Sequence, residues 1–444
     1  MYPMIHARGK NFTRSAPLDG NGTGEISEPP APLFLHGPAS SPIDAESLTF
    51  GLEEEFFLVD LRTRRAPGRV PKSFVNTCRR RLGDRVTFEL KQSQVEIVSP
   101  ILHSAEEASA VMSGLRAQVG EIANAMGLGI IGAGTHPLAH WHLQRHTEKP
   151  RYSRLADALR MIAFRDFICG LHIHVAVPVG DRIELMNRLL PWLPLFLALS
   201  TSSPFWNLHR TGLYGYRQAA AAEWPRAGVP NCFENEADYE NFIATLVRAG
   251  SLEDGSEIWW SIRPSASYPT LELRIADSCT RVEDSVAIAM LFRCLVSAHL
   301  RLPQLGAQRS AMTRHLIEEN IWRAQRYGLE AEFIIDGRDR PVSVPEWVSE
   351  TLELIRPDAR VLDPHGTLST LRTILVRGTS AHEQIHIYEE CVANGMSHRE
   401  ALGCVVDWLL RATVPPEGVV AELHGNGHAE AVHANGAAKN RSLG

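Results

Sequence analysis

Alternating apolar and polar positions mark four segments of this chain as strands with one polar face. In Phe50–Asp60 the apolar run Phe56-Phe57-Leu58-Val59 is led in by three consecutive glutamates. Successive strand side chains point to opposite faces, so Glu53 and Glu55 share one face and Glu54 takes the other. Residues 169–178 place His172 and His174 two apart, and residues 268–277 do the same with Glu272 and Arg274. Read as one strand, residues 88–98 put Gln92, Gln94 and Glu96 on one face, with Glu89 on the other unless a bulge intervenes.

Between these segments the spacing turns helical. Ser104-Ala-Glu-Glu107 forms a capping box, Val111, Leu115, Val119, Ile122 and Met126 follow at helical intervals, and Gly127 closes the run. Thr280-Arg-Val-Glu283 offers a second box before a helix that stops short of Pro303. The pattern predicts further helices over 151–164, 182–199, 236–249, 310–327, 345–355, 380–394 and 397–413. Polar-faced strands separated by long helices predict an α+β architecture, its sheet antiparallel or mixed, with one face on helices and one open to ligands.

Composition sets the limits of the body. Residues 1–45 are rich in Gly, Pro and Ser without periodicity and read as a disordered tail. Residues 415–444 read likewise, with His424, His428 and His433 in solvent. Residues 46–414 form a single domain with no linker to divide it and no internal repeat. With 444 residues and 44% hydrophobic content the chain can bury a large core. A net charge of −6 leaves no basic footprint, so no nucleic-acid partner is expected. No membrane partner is expected either: the longest apolar run, 189–199, falls short of the roughly 20 residues a bilayer span needs and is interrupted by Pro191 and Pro194. Seven scattered cysteines without CxxC spacing read as reduced thiols of a cytoplasmic protein.

The polar faces carry the chemistry. A sheet face bearing Glu53, Glu55, Glu96, His172, His174, Glu272 and Arg274 needs cations and anions to fill it, since an unpaired buried carboxylate costs several kcal/mol. A metal together with phosphate is the economical filling, and ligation rich in oxygen with one or two histidines favours Mg²⁺ or Mn²⁺ over zinc. Gly127-Leu-Gly-Ile-Ile-Gly132 matches a dinucleotide fingerprint in the wrong setting: it closes a helix and opens a strand, the reverse of a nucleotide loop. No GxxxxGK[ST] phosphate loop is present.

Seven segments in order, FGLEEEFFLVD, SQVEIVSP, GAGTHP, CGLHIHVAVP, SPFWNLHRTGLYGYR, IRPSASYPTLELRIAD and NIWRAQRYGLEAE, resemble the type-2 glutamate–cysteine ligase family of ATP-dependent carboxylate–amine ligases, across roughly residues 46–414. The resemblance implies a distant likeness to glutamine synthetase: a curved, mainly antiparallel sheet forming a funnel, helices packed outside, ATP at one end, and two or three Mg²⁺ or Mn²⁺ ions in the middle. It implies that Glu53, His172 and Glu272 hold one metal and that Glu55 and Glu96, with Glu89, hold another. His174 and Arg263 would contact ATP phosphates and Arg274 the transferred γ-phosphoryl group, while Arg217, Arg323 and Arg326 would serve anionic substrate. Two features depart from the family pattern: Gln92 and Gln94 lie between Glu89 and Glu96, and Asn207-Leu208-His209-Arg210 stands where an acidic residue usually precedes the TG.

The reaction implied is amide formation through an acyl phosphate, on small-molecule acid and amine substrates, with glutamate and cysteine the pair in the family's name. Whether the chain forms a homodimer is open. Two rivals from other classes use the same residues: a metal-dependent hydrolase, and a non-catalytic binding protein on the ligase scaffold.

Overall fold

Phe50–Asp60 (β1) is the longest strand of the sheet and its organiser, pairing with three others. The computed structural model describes residues 47–178, 180–307 and 310–415, all within one compact unit. The sheet also contains Val86–Phe88 (β2), Gln94–Val98 (β3), Leu128–Ile131 (β4), Leu171–Ala176 (β5), Ile262–Pro264 (β6) and Thr270–Leu273 (β7). Their order is β6-β7-β5-β1-β3-β2, with β4 also on β1, and every neighbouring pair is antiparallel. This is the α+β, antiparallel architecture the alternation predicts.

The two faces of β1 separate as strand parity requires. Phe50, Leu52, Glu54 and Phe56 are buried on one side, where Arg116 of helix Ala105–Asn124 reaches Glu54 and lies 5.2 Å from the Phe56 ring centroid. Helix Val282–Arg301, buried along nearly its whole length, packs against Ala105–Asn124 and β5. Glu53 and Glu55 face the other way, into a cavity.

Several local expectations need correction. Residues 88–98 are not one strand: the chain reverses between Phe88 and Gln94, closing a hairpin in which the Gln94 N–H donates to the Lys91 carbonyl. Parity therefore does not carry across it, and Gln92 turns away to donate to the His146 carbonyl. The helix expected over 182–199 breaks into Arg182–Leu189 and Leu193–Ser200, because Pro191 and Pro194 withhold two backbone donors. The 151–164 helix breaks at Arg160, whose φ of 50° is left-handed. Ser104 caps its helix through the Glu107 N–H, but Glu107 takes the His103 N–H instead of completing the box. Thr280 caps nothing: its hydroxyl donates to the Gly132 carbonyl and meets Ser380.

The helix ends at Asn124 with Ala125 as its cap, so Gly127, at a left-handed φ of 71°, falls one residue past the position expected for it, and the glycines after it serve packing. A Cβ on Gly129 would lie 2.5 Å from a Leu410 methyl, and one on Gly132 would lie 2.6 Å from the Cys279 carbonyl oxygen. That density leaves no room for a phosphate. Among the described residues no helix is long and apolar enough to cross a membrane. The expected tails, 1–45 and 415–444 with His424, His428 and His433, lie outside the described residues but for Pro415.

Candidate active site

Sheet register brings the polar residues together across strands. Glu53 stands opposite His172, Glu55 opposite Glu96, and Glu272 opposite both His174 and Arg263. These cross-strand pairs form one polar surface at the wall of a cavity of about 490 Å³. Glu53, Glu55, Glu89, Glu96, His172, Arg217, Arg263 and Arg274 all line it. His174 and Glu272 adjoin it, with His174 Nε2 3.3 Å from Glu53 Oε1 and Glu272 joined to Arg274.

Three of these positions come from local geometry. His174 Nδ1 lies 2.9 Å from the Thr270 hydroxyl, which turns Nε2 toward Glu53 and Glu272. His172 Nδ1 lies 3.3 Å from Glu53 Oε2, with Arg274 Nη1 3.4 Å away on the same nitrogen. Glu89 enters through the hairpin reversal, which carries it to within hydrogen-bonding reach of Glu96.

Two ligand groups emerge, each with its atoms within 4.8 Å of one another: Glu53, His174 and Glu272, and Glu53, Glu96 and His172. The division differs from the one the resemblance implies: His174, expected at the ATP phosphates, stands with Glu53 and Glu272, and His172 stands with Glu53 and Glu96. His174 Nε2 is buried, and its approach to Glu53 Oε1 is not a well-aligned hydrogen bond; no other described residue bonds it. An orphaned imidazole nitrogen facing two carboxylates fits a hard divalent cation.

The electrostatics point the same way. Burial pushes Glu55 up to about 8, helped by the charge of Glu89. Burial raises Glu96 well above the usual carboxylate range, with Glu89, Glu53 and Glu55 adding repulsion. Glu89 is raised by burial despite the nearby Lys149. Burial would raise Glu53 and Glu272 too. The His172 hydrogen bond and the His174 imidazole close beside it outweigh burial at Glu53, and the charges of Arg274 and Arg263 outweigh it at Glu272, so both stay well below that range. Burial and the Arg274 charge lower His172 to about 4, which keeps it neutral and able to ligate. Such crowding of carboxylates is stable only with protons or cations among them.

The arginines divide by role. Arg263 grips Glu272 with Nε at 2.8 Å and Nη2 at 3.1 Å, and also donates to the Ser256 and Ile258 carbonyls. Arg274 Nη1 donates to Glu272 Oε1, the oxygen that Arg263 Nη2 also reaches. Arg217, from helix Tyr216–Ala221, donates to the Ile275 and Arg274 carbonyls and lies 4.0 Å from Asp277. Arg323 and Arg326 are not in the cavity wall. They sit on helix Thr313–Tyr327, where Arg323 pairs with Glu319 and Arg326 donates to the Gly212 carbonyl.

The wall also holds residues not singled out from the sequence: Lys149, Tyr152, Asp166, Trp224 and Trp259 among them. Asp166 was legible. Counting back in twos from His172 passes through Gly170 and Ile168 to Asp166, so the parity that placed the histidines extends to it.

Comparison with known proteins agrees with this geometry. Residues 49–407 match the family described as glutamate-cysteine ligase family 2. A protein of Ectopseudomonas mendocina (strain ymp) named "Putative glutamate--cysteine ligase 2" is 44% identical over 367 residues, covering 82% of this chain and 97% of its own length. One of the same name from Rhodospirillum rubrum is 42% identical over 380 residues, 84% of this chain and 98% of its own. Among solved structures, a glutamate–cysteine ligase from Francisella tularensis in complex with AMP superposes with a TM-score of 0.60 at 12% identity, covering 85% of this chain and 91% of that one. A bifunctional glutathione synthetase from Pasteurella multocida gives 0.60 at 14% identity, covering 83% of this chain but only 53% of that longer one. These two likenesses bear on the fold alone. The match along the sequence decides the family: the chain belongs to glutamate–cysteine ligase family 2 and is an ATP-dependent carboxylate–amine ligase.

Proposed function

We propose that the chain uses ATP to convert a carboxylate to an acyl phosphate and passes the acyl group to an amine, with Mg²⁺ or Mn²⁺ as the resident cation and glutamate and cysteine as the first pair to test. The observation that carries this reading is the meeting at Glu272 of a carboxylate–histidine cluster with two arginines. A hydrolase has need of the first; a phosphoryl-transfer enzyme has need of both.

A carboxylate is a poor electrophile, and it repels the triphosphate it must attack. Glu53, His174 and Glu272, and Glu53, Glu96 and His172 with Glu55 and Glu89, would hold the divalent ions. When bound, these would neutralise the phosphate oxygens and bring the two anions together. Arg274 supplies a planar guanidinium for the charge that develops on the transferred phosphoryl group. Arg217 offers its buried, partly satisfied guanidinium to the substrate carboxylate. Arg263 acts at one remove, fixing Glu272 in place.

The carboxylate oxygen attacks the γ-phosphorus, and ADP leaves with the bridging electron pair. The ammonium group gives one proton to a cavity carboxylate, and the freed amine nitrogen bonds to the acyl carbon; phosphate leaves, a second proton is shed, and amide, ADP and phosphate result. The seven cysteines, all unpaired, suit a reducing cytoplasm where ATP and amino acids are at hand. The test is ADP release from ATP and Mg²⁺ over pools of acids and amines. Release that needs both an acid and an amine supports the ligase; release with neither, or none with any pair, defeats it.

A further inference from the structure

We propose that Asp166, backed by the indole of Trp224, is the seat for the ammonium group of the attacking amine. The inference rests on the ligase reading and names the part of the cavity that takes the second substrate.

Asp166 stands apart from the other carboxylates of the wall. Glu53, Glu55, Glu89 and Glu96 are crowded together on or beside the polar strands, while Asp166 belongs to neither ligand group. Its Oδ1 accepts a hydrogen bond from Trp224 Nε1 at 3.2 Å, and no described residue donates to its other oxygen. Lys91, the cation behind it, is fully buried, outside the cavity wall, and committed to the Phe164 carbonyl at 2.9 Å. Among the described residues the second Asp166 oxygen therefore has no hydrogen-bond donor.

The surroundings select for a cation. Trp224 and Trp259 both line the cavity, their rings edge to face with centroids 4.6 Å apart. The attraction for a positive group comes from the carboxylate, which Trp224 holds edge-on through its Nε1–H, while Arg226 lies over the Trp259 ring at 5.3 Å. Anions have other partners in the wall: Arg274, Lys149 and Arg151 line it too. Primary amines reach the site at neutral pH as ammonium ions, and desolvating one is costly unless a carboxylate receives it. Asp166 lies within range of the Glu89 and Arg217 charges, so an amine held there stands next to the ligand cluster. Burial pushes the Asp166 carboxyl up to about 7, with Lys91 and the Trp224 hydrogen bond pulling against it. An ammonium ion in front would draw it down and keep it charged.

The test is Asp166→Asn, which keeps the shape and an oxygen for Trp224 Nε1 but removes the charge. Steady-state rates are measured at pH 7 with ATP, Mg²⁺ and the acid that supports wild-type turnover. Two acceptors are compared: L-α-aminobutyrate, which is an ammonium ion at that pH, and hydroxylamine, which is mostly neutral. The expected result is a KM for L-α-aminobutyrate raised at least about tenfold, as for loss of a charged hydrogen bond, with hydroxylamine, ATP and acid KM values changed by less than about threefold. Asp166→Glu should recover part of the loss. Equal losses with both acceptors would mean a structural role, and no loss with either would mean no role; each overturns the inference while leaving the ligase standing. A wild type that forms no hydroxamate with any acid brings down both.

Discussion

Glu54 and Arg116 form a bidentate ion pair on the far side of β1 from the cavity, with Nε–Oε2 at 2.8 Å and Nη2–Oε1 at 2.6 Å, and with side chains 0% and 2% exposed. Arg116 spends its remaining donors on the Thr280 and Cys279 carbonyls and the Ser285 hydroxyl. The middle glutamate of the triplet thus ties sheet to helix, while its neighbours face the chemistry.

Breaking that pair from one side leaves a buried charge with nothing to answer it. Arg116→Met should lower the unfolding free energy by about 3–5 kcal/mol. The double variant Glu54→Leu, Arg116→Met should cost much less than the sum of the two single changes. Denaturant titration of all four proteins measures this, and strict additivity would show that the pair is not coupled.

On the cavity side the cost falls on turnover. Glu53→Gln or Glu272→Gln should reduce ADP formation at least ~100-fold, about 2.7 kcal/mol of transition-state stabilisation, with the folded protein preserved by circular dichroism. Near-normal rates in both variants would refute the assignment of these carboxylates to cation binding.

Arg274 separates binding from chemistry. Arg274→Lys keeps the charge but loses the planar fork, so nucleotide affinity should change little while the acyl-phosphate step slows by at least about tenfold. Rapid-quench measurement of ADP formation beside equilibrium nucleotide binding resolves the two. An unaltered rate of ADP formation is the outcome that sinks the role.

Cation binding should depend on pH in a direction the site dictates. Without a cation, Glu55 is pushed up to about 8, so it carries a proton at neutral pH, and Glu96 is raised in the same direction. A divalent ion must displace that proton. Apparent Mn²⁺ affinity should therefore climb as pH rises through 8, by at least about tenfold between pH 6.5 and 8.5. Titration calorimetry in buffers of different ionisation enthalpy should register proton release, and a flat pH profile without release would contradict the crowding argument.

Much of the site was legible because one rule, alternation within a strand, sufficed to find it. Glu53 with Glu55, His172 with His174, and Glu272 with Arg274 needed nothing else. What stayed hidden depends on partners distant in sequence. No property of residues 169–178 says that Glu272 stands opposite His174 rather than His172; the β5–β7 register decides that, and with it which histidine joins which carboxylate. Glu89 reaches Glu96 through a reversal between Phe88 and Gln94 that carries no Gly or Pro to announce it. Thr280 resembles a helix cap until Gly132 and Ser380 claim its hydroxyl. Asp166 shares the parity of His172 but lies ahead of the strand, at the end of helix Met161–Arg165, where the apolar run that marks β5 does not reach.

The glutamate triplet also proofreads the fold. A slip of β1 by one residue would swing Glu53 and Glu55 in among Leu52's packing neighbours and turn Glu54 into the cavity. Arg116 would then meet the wrong carboxylate, and the histidines would face one acid where two belong. Misalignment would thus be penalised twice at once, in cohesion and in catalysis, so a chain that has lost its register cannot linger as a stable but idle impostor.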